Sequence, residues 1–265
     1  MVPATPLVLL VPQTQAPLEV MGPLPRAAHP IVLILGPGLA RGFAHVGVIR
    51  ALVSAKIPVA AIYGTEMGAL IGGIFAASGK VNSLDWALLQ LKEEVFLQGK
   101  GVFSNEKELR RDSRALSAVL DKILSGKLIE QAAVPMRAGL YFRAQQEVKW
   151  VQSGLLSAAL TAATVSDEFL GEGESVAKRR PFPISEAKAE AKERGWGPVV
   201  VVSLQDERQE KAIASATEFA DADFIIRPKV QSVGPLDFGN RTDAIFQGKR
   251  ATEAVITELR KIATP

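Results

Sequence analysis

The sequence predicts an α/β fold in which a doubly wound, mostly parallel sheet is flanked by helices. Short continuous apolar runs, typical of strands that are buried on both faces, occur at residues 31–35, 59–63 and 199–202. Segments with apolar residues at helical spacing lie between these runs, beginning with residues 43–55. Strands that alternate with helices along a chain normally form a parallel sheet, because each crossover returns the chain to the same edge.

The composition is that of a globular protein with a substantial core. The chain has 265 residues, of which 48% are hydrophobic and 22% charged, and its apolar runs are too short to span a bilayer. The net charge is +3, and no basic segment is interleaved with aromatic residues, so we expect no nucleic-acid partner. The sequence has no cysteine and only two histidines, His29 and His45, so we expect no metal site and no cofactor.

The remaining segments extend the same alternation. Residues 1–30 contain seven prolines, which predict an extended leader or linker ahead of a single domain at residues 31–265. The leader could equally be the linker that follows a removed targeting or lipid-anchor segment. Within the domain, the patterns predict further strands at 134–142, 147–151 and 224–228, and further helices at 84–95, 106–124, 154–162, 188–194 and 242–262.

The first strand is followed by a glycine-rich loop at residues 36–42 and then by a helix. This order places backbone N–H groups and the positive end of a helix around an anion. Gly36, Gly38 and Gly42 do not have the Gly-x-Gly-x-x-Gly spacing of a dinucleotide site, and no acidic residue follows at the expected distance. The loop is therefore a candidate anion site of another kind.

The second strand leads into a sharp turn and then a helix of small and apolar residues. Such a turn is typical of a nucleophile elbow, Gly-x-Ser-x-Gly, although an ordinary strand-to-helix turn remains the alternative. The turn consists of Gly64, Thr65, Glu66, Met67 and Gly68. Acyl transfer needs a hydroxyl at the centre, because attack by a carboxylate would give a mixed anhydride less stable than the substrate ester. Glu66 therefore indicates that the chain retains the geometry of the elbow but lacks the nucleophile that ester hydrolysis needs.

Taken together, LGPGLARGFAHVGVIRAL at residues 35–52 and IPVAAIYGTEMGALIGGIFA at residues 57–76 closely resemble the patatin-like phospholipase family, its bacterial members in particular. The resemblance extends over about residues 31–262. It implies a patatin-like three-layer fold and a lipid acyl hydrolase that uses a Ser-Asp dyad. It also implies that the glycine-rich loop, of the family form Gly-Gly-Gly-x-x-Arg/Lys-Gly, serves as the oxyanion hole.

The dyad aspartate, which the family carries in an Asp-Gly-Gly/Ala motif, has no counterpart in this sequence. Residues 181–187 resemble the segment that follows the motif. Counting back from this segment puts Ser175 at the aspartate position, whereas matching glycines puts Gly171 there. Asp167 lies nearby without the following glycines and is the candidate for a substitute base.

The loop also departs from the family pattern. The residues that match it are Gly36, Pro37, Gly38, Arg41 and Gly42. Pro37 has no N–H to donate to an oxyanion, and Leu39 replaces a glycine. Arg41 is expected to support the loop rather than to bind a ligand, and His45 is expected to pack in the helix without a catalytic role.

These changes suggest what Glu66 does instead. We hypothesise that its carboxylate occupies the place of a substrate oxyanion, where it accepts hydrogen bonds from the loop amides or pairs with Arg41. The alternative is that the side chain points into solvent.

Two functions remain open. The first is a pseudoenzyme that binds lipid, a fatty acyl ligand or a protein partner, with possible peripheral contact to a membrane. The second is a lipid acyl hydrolase that works through unconventional groups, with Glu66 as a general base acting on water. The sequence favours the first, because nucleophile, base and oxyanion loop have all changed. For location, we expect a bacterial protein that is periplasmic or membrane-associated rather than cytoplasmic.

Overall fold

A six-stranded sheet forms the centre of the computed structural model, which describes residues 29–97, 113–142, 147–165, 182–205, 211 and 221–263. The strand order is β4-β3-β2-β1-β5-β6, and only β3 and β4 are antiparallel. The strands are β1 (Ile31–Leu35), β2 (Val59–Thr65), β3 (Met136–Phe142), β4 (Glu147–Val151), β5 (Val199–Val202) and β6 (Phe224–Ile226). The predicted mostly parallel sheet is confirmed.

The described residues also form nine α-helices, seven between the strands and two after β6. They are α1 (Ala44–Ser54), α2 (Met67–Ser78), α3 (Val81–Gln90), α4 (Glu93–Phe96), α5 (Ser113–Leu124), α6 (Leu156–Thr164), α7 (Ile184–Arg194), α8 (Arg241–Ala254) and α9 (Ile256–Ala263). A 3-10 helix, Leu39–Phe43, precedes α1. None of the helices in the described ranges is long and apolar enough to cross a membrane.

The helices cover both faces of the sheet, as the three-layer prediction requires. Side chains alternate along β1, so that Ile31, Leu33 and Leu35 join the larger core with α1 and α2. Val32 and Ile34 point the other way and pack with α7 in a second, smaller core. All five residues of β1 are fully buried, which explains why the strand is apolar at every position.

Two of the predicted helices are broken in the structure. The helix expected at 84–95 divides into α3 and α4, because the backbone leaves the helical region at Leu91, where ψ is 68°. Arg241 holds this break by donating from Nη1 to the carbonyl oxygens of Leu88 and Leu91, at 2.7 and 3.0 Å. The helix expected at 242–262 divides at Val255, after which α9 buries Leu259 and Ala263.

Several other predicted segments lie partly or wholly outside the described residues. Of the proline-rich leader, only His29 and Pro30 are described. The helix expected at 106–124 is described as Ser113–Leu124.

An ion-pair network fastens α7 to the sheet. Glu190 of α7 accepts hydrogen bonds from the Tyr63 hydroxyl of β2 and from the Arg137 guanidinium of β3. Arg194 adds a second guanidinium, with its Nε 2.9 Å from Oε1 of Glu190. Burial, together with the hydrogen bond and charge of Glu190, raises the pKa of the Tyr63 phenol, so the hydroxyl remains a donor.

Candidate functional site

Glu66 occupies a strained turn between β2 and α2. Its backbone has φ = 52° and ψ = −121°, a conformation that residues with a Cβ rarely adopt and that costs about 1–3 kcal/mol. Glycines flank it because there is no room for side chains. A Cβ on Gly64 would lie 2.6 Å from the backbone of Ala69, and one on Gly68 would lie 2.1 Å from the carbonyl oxygen of Leu35. This strained turn presents the Glu66 side chain at the carboxyl end of the sheet.

The Glu66 carboxylate binds the glycine-rich loop. Its Oε2 accepts hydrogen bonds from the backbone N–H groups of Gly38 and Leu39, both at 2.9 Å. The residue is 0% exposed, so the alternative in which it points into solvent is wrong. Because Glu66 immediately precedes α2, the positive end of that helix also favours its negative charge. Two amide dipoles and a helix terminus thus surround the carboxylate.

The hydrogen bonds described for Oε2 of Glu66 come from the two loop amides and not from Arg41. Its Nε donates to the carbonyl oxygen of Val233 at 2.8 Å, across 192 residues of sequence. A second contact ties the same loop to the same segment, since the N–H of Ala40 donates to the carbonyl oxygen of Pro235 at 3.0 Å. Arg41 therefore holds the loop against residues 233–235, the supporting role expected from the sequence.

The altered loop presents two convergent donors although Pro37 and Leu39 depart from the family pattern. Pro37 lacks an N–H, but the two donors come from the residues after it. Leu39 keeps its N–H and adopts a left-handed φ of 50°, which a glycine would take without strain. Its side chain is buried, and this burial offsets the backbone strain. The substitution changes the conformational cost of the loop, not its ability to donate.

His45 supports the loop from the first turn of α1. Its Nε2 donates to the carbonyl oxygen of Gly36 at 2.8 Å, which places the ring proton on Nε2 because a carbonyl can only accept. Complete burial lowers the pKa of His45 to about 4, against the smaller opposing effect of the Gly36 hydrogen bond. Within the described residues its buried Nδ1 has no partner. The sequence predicted packing for His45 and missed this bond, although its position one turn after the loop was a usable signal.

The candidate dyad positions are not placed by the structure. Gly171 and Ser175, as well as the substitute base Asp167, lie in residues 166–181, outside the described residues. Beside Glu66, Thr65 has a buried hydroxyl for which the described part of the chain provides no hydrogen-bond partner.

A hydroxyl–carboxylate pair occurs elsewhere, which the sequence did not suggest. The Ser157 hydroxyl donates to the Asp121 carboxylate at the start of α6. Lys127 fixes the position of this pair, because its carbonyl accepts from Leu156 and its Nζ donates to Ala77 in the last turn of α2. Glu66 lies at the other end of that 12-residue helix, about 18 Å away at 1.5 Å per residue. Ser157 is 1% exposed whereas Asp121 is exposed, so the hydroxyl of this pair is shielded from solvent and the pair lies away from the elbow.

Sequence comparison identifies related proteins. A family model described as patatin-like phospholipase matches residues 33–224. An uncharacterized NTE family protein of Mycobacterium tuberculosis is 34% identical over 133 residues, which are 50% of this chain and 36% of that protein. A lysophospholipase of Emericella nidulans is 57% identical over 49 residues, covering 18% of this chain and 3% of the fungal protein. The chain thus aligns with about a third of the mycobacterial protein.

Two solved structures are also similar. The type III effector protein ExoU aligns over 88% of this chain and 54% of its own, with 12% identity and a TM-score of 0.45. VipD from Legionella pneumophila aligns over 39% of this chain and 17% of its own, with 21% identity and a TM-score of 0.29.

Proposed function

Because the chain belongs to the patatin-like phospholipase family, we propose that it is a member that no longer hydrolyses esters and uses the fold to bind a lipid or fatty acyl ligand. The observation that carries the proposal is the pair of 2.9 Å hydrogen bonds from Gly38 and Leu39 to Oε2 of Glu66. The side chain at the nucleophile position is thereby held against the donors that a substrate would need.

The first step of acyl transfer is disfavoured by the chemistry of Glu66. A serine at this position would attack an ester to give another ester of similar stability. A carboxylate would give a mixed anhydride, which lies above the substrate in free energy. Oε2 is moreover directed at two amides, and the residue has no exposed surface for a substrate to approach.

Stabilisation of the oxyanion that develops during this attack is also disfavoured, because its donors are already occupied. Loss of one oxyanion donor typically lowers kcat by about 10²–10³. Here both donors are already bonded to a negatively charged oxygen. An oxyanion that formed nearby would lose these donors and would also be repelled by the carboxylate. The internal carboxylate thus acts as a permanent competitor for the substrate.

A lipid ligand is supported by the family, whose description names phospholipase, and by the fungal relative named lysophospholipase. A protein partner is the second candidate within the same non-hydrolytic class. The alternative from another class is hydrolysis with Glu66 as a general base for water. A general base needs a lone pair directed at a water molecule, whereas Glu66 is fully buried and engaged by the loop.

Hydrolysis of p-nitrophenyl butyrate by the unmodified protein, Glu66→Ala and Glu66→Ser tests the loss of activity. We expect the first two to match the buffer rate. We expect Glu66→Ser to stay there as well, since the sequence lacks the Asp-Gly-Gly/Ala motif whose aspartate would accept the proton of the serine hydroxyl. Glu193→Ala, which changes an exposed glutamate on α7, is the matched control. Activity of the unmodified protein that Glu66→Ala removes and Glu193→Ala preserves would overturn the proposal.

Ligand binding requires a separate measurement. Mass spectrometry of an organic extract from the purified protein should reveal a fatty acid or phospholipid at close to stoichiometric amount. A lipid content equal to that of an unrelated protein purified in the same way would exclude the lipid and leave the protein partner.

A further inference from the structure

A groove with a volume of about 490 Å³ lies between the end of β6 and the last two turns of α8. We call it the β6–α8 groove. Three cationic side chains line it: Arg227 and Lys229 from the strand side and Arg250 from the helix side. The groove is separated from Glu66 by two strands, because β1 and β5 lie between β2 and β6. Three strand spacings correspond to about 14 Å.

The local sequence explains how the two walls form. On the strand side, Arg227 and Lys229 follow the end of β6 and border the groove together with Ile225, whose side chain packs in the smaller core with α7. On the helix side, residues 247, 250, 251 and 254 recur at helical spacing and share one face. Two of these, Ala251 and Ala254, are small, so the walls do not meet and a groove remains between them.

None of the described residues that line the groove is acidic, so no charge within this lining offsets those of Lys229 and Arg250. Other cations in the same region have acidic partners: Lys249 lies 3.6 Å from Glu253, and Lys188 lies 2.9 Å from Asp223. Lys229 and Arg250, in contrast, make no ion pair with any described residue. Cations that converge on one concave surface produce a positive potential that an anion would relieve.

The groove is also apolar between its cations, where Ile225, Val255 and the two alanines contribute to the lining. A volume of this size lies in the range of about 300–1,000 Å³ that small-molecule sites occupy. We propose that the β6–α8 groove binds a small anionic amphiphile, with a phosphate or carboxylate head between Lys229 and Arg250 and a short apolar tail along Ala254 and Val255. This site goes beyond the proposed function and does not depend on whether Glu66 is catalytic.

Isothermal titration calorimetry with monomeric octyl phosphate tests the proposal, with inorganic phosphate and 1-octanol as the two halves of the probe. We expect octyl phosphate to bind at least fivefold more tightly than either half. Lys229→Gln and Arg250→Gln should each weaken binding by about two- to fivefold, and the double variant by about tenfold. Lys249→Gln removes the same charge from a neighbouring exposed position outside the groove and should change the Kd by less than twofold.

A steric variant tests the apolar part while keeping every charge. Ala254→Leu places a larger side chain at an exposed helix position that lines the groove, so it should weaken octyl phosphate binding and leave the fold intact. The proposal is overturned if inorganic phosphate binds as tightly as octyl phosphate, or if Lys249→Gln weakens binding as much as Arg250→Gln. It is equally overturned if the protein binds phosphatidylglycerol vesicles but not monomeric octyl phosphate. None of these outcomes bears on the ester assay, so the two proposals fail independently.

Discussion

Two carboxylates near β2, those of Glu66 and Glu190, are stabilised in different ways. Glu190 is surrounded by charged and polar side chains, with guanidinium groups from Arg137 and Arg194 and the hydroxyl of Tyr63. Glu66 accepts from the backbone N–H groups of Gly38 and Leu39 in a strained turn. The first carboxylate fastens a helix to the sheet, whereas the second fills an anion site that the backbone would form for any suitably placed oxygen.

The comparison teaches that the hydrogen-bond donors around a buried acid indicate whether its role is structural or whether it occupies an anion site. An ion pair needs particular side chains, which fold together with the acid and are satisfied by it. Backbone donors at a loop and a helix start form a site that is independent of the residue placed there. The backbone around Glu66 therefore forms an anion site, while the surroundings of Glu190 form an ion-pair network.

Removal of Glu190 should have the largest effect on stability. Glu190→Ala leaves the Arg137 guanidinium, which is 14% exposed, and the Tyr63 hydroxyl without their carboxylate. We expect a loss of about 3–5 kcal/mol in the free energy of unfolding, measured by urea denaturation. Glu193→Ala, at an exposed position of the same helix, should change it by less than about 0.5 kcal/mol. A loss of stability in Glu190→Ala as small as that in Glu193→Ala would show that the network is dispensable.

The support of the loop by His45 should appear as a pH dependence. The pKa of His45 is about 4 in the folded protein, below its ordinary value of 6.5. Above pH 6.5 the imidazole is neutral in both states, so its contribution is constant. As the pH falls from 6.5 to 4, the unfolded state takes up a proton that the folded state excludes. Stability is therefore lost, by about 3 kcal/mol over the interval.

Carboxylates also titrate below pH 6.5, so the test compares two proteins over the same range. In His45→Gln the side-chain amide can still donate to the Gly36 carbonyl, but it does not titrate. The difference in unfolding free energy between the two proteins should shrink steadily as the pH is lowered from 6.5 to 4. A difference that stays constant over this interval would mean that folding does not lower the pKa of His45.

The strain at Glu66 should give the smallest effect. Glu66→Ala and Glu66→Gly both remove the carboxylate and leave the amides of Gly38 and Leu39 without it. Only glycine also relieves the positive φ of 52°. We expect Glu66→Gly to be more stable than Glu66→Ala by about 1 kcal/mol, measured by thermal unfolding. An alanine variant as stable as the glycine variant would indicate that the turn relaxes once the carboxylate is gone.

Part of the candidate site could be predicted from the sequence because its contacts involve short, strongly patterned segments. The glycines that flank Glu66 and the small residues after it indicated the turn, and the glycine-rich loop indicated an anion site. The hydrogen bond between His45 and Gly36 spans only nine residues and could have been predicted from the position of His45 shortly after the loop. The Tyr63–Glu190 contact spans 127 residues, and no local pattern pairs these two side chains.

The sequence by itself determined the alternation of buried strands and helices, the glycine turn with an acid at its centre, and the family to be expected. These features depend on hydrophobic periodicity and on backbone conformations that only glycine adopts freely, both of which are local. Only the tertiary structure decided that the Glu66 carboxylate meets the amides of Gly38 and Leu39, that α3 ends where Arg241 caps it, and that three cations converge on the β6–α8 groove. These contacts join segments far apart in the chain, and packing of the whole core selects which of them meet.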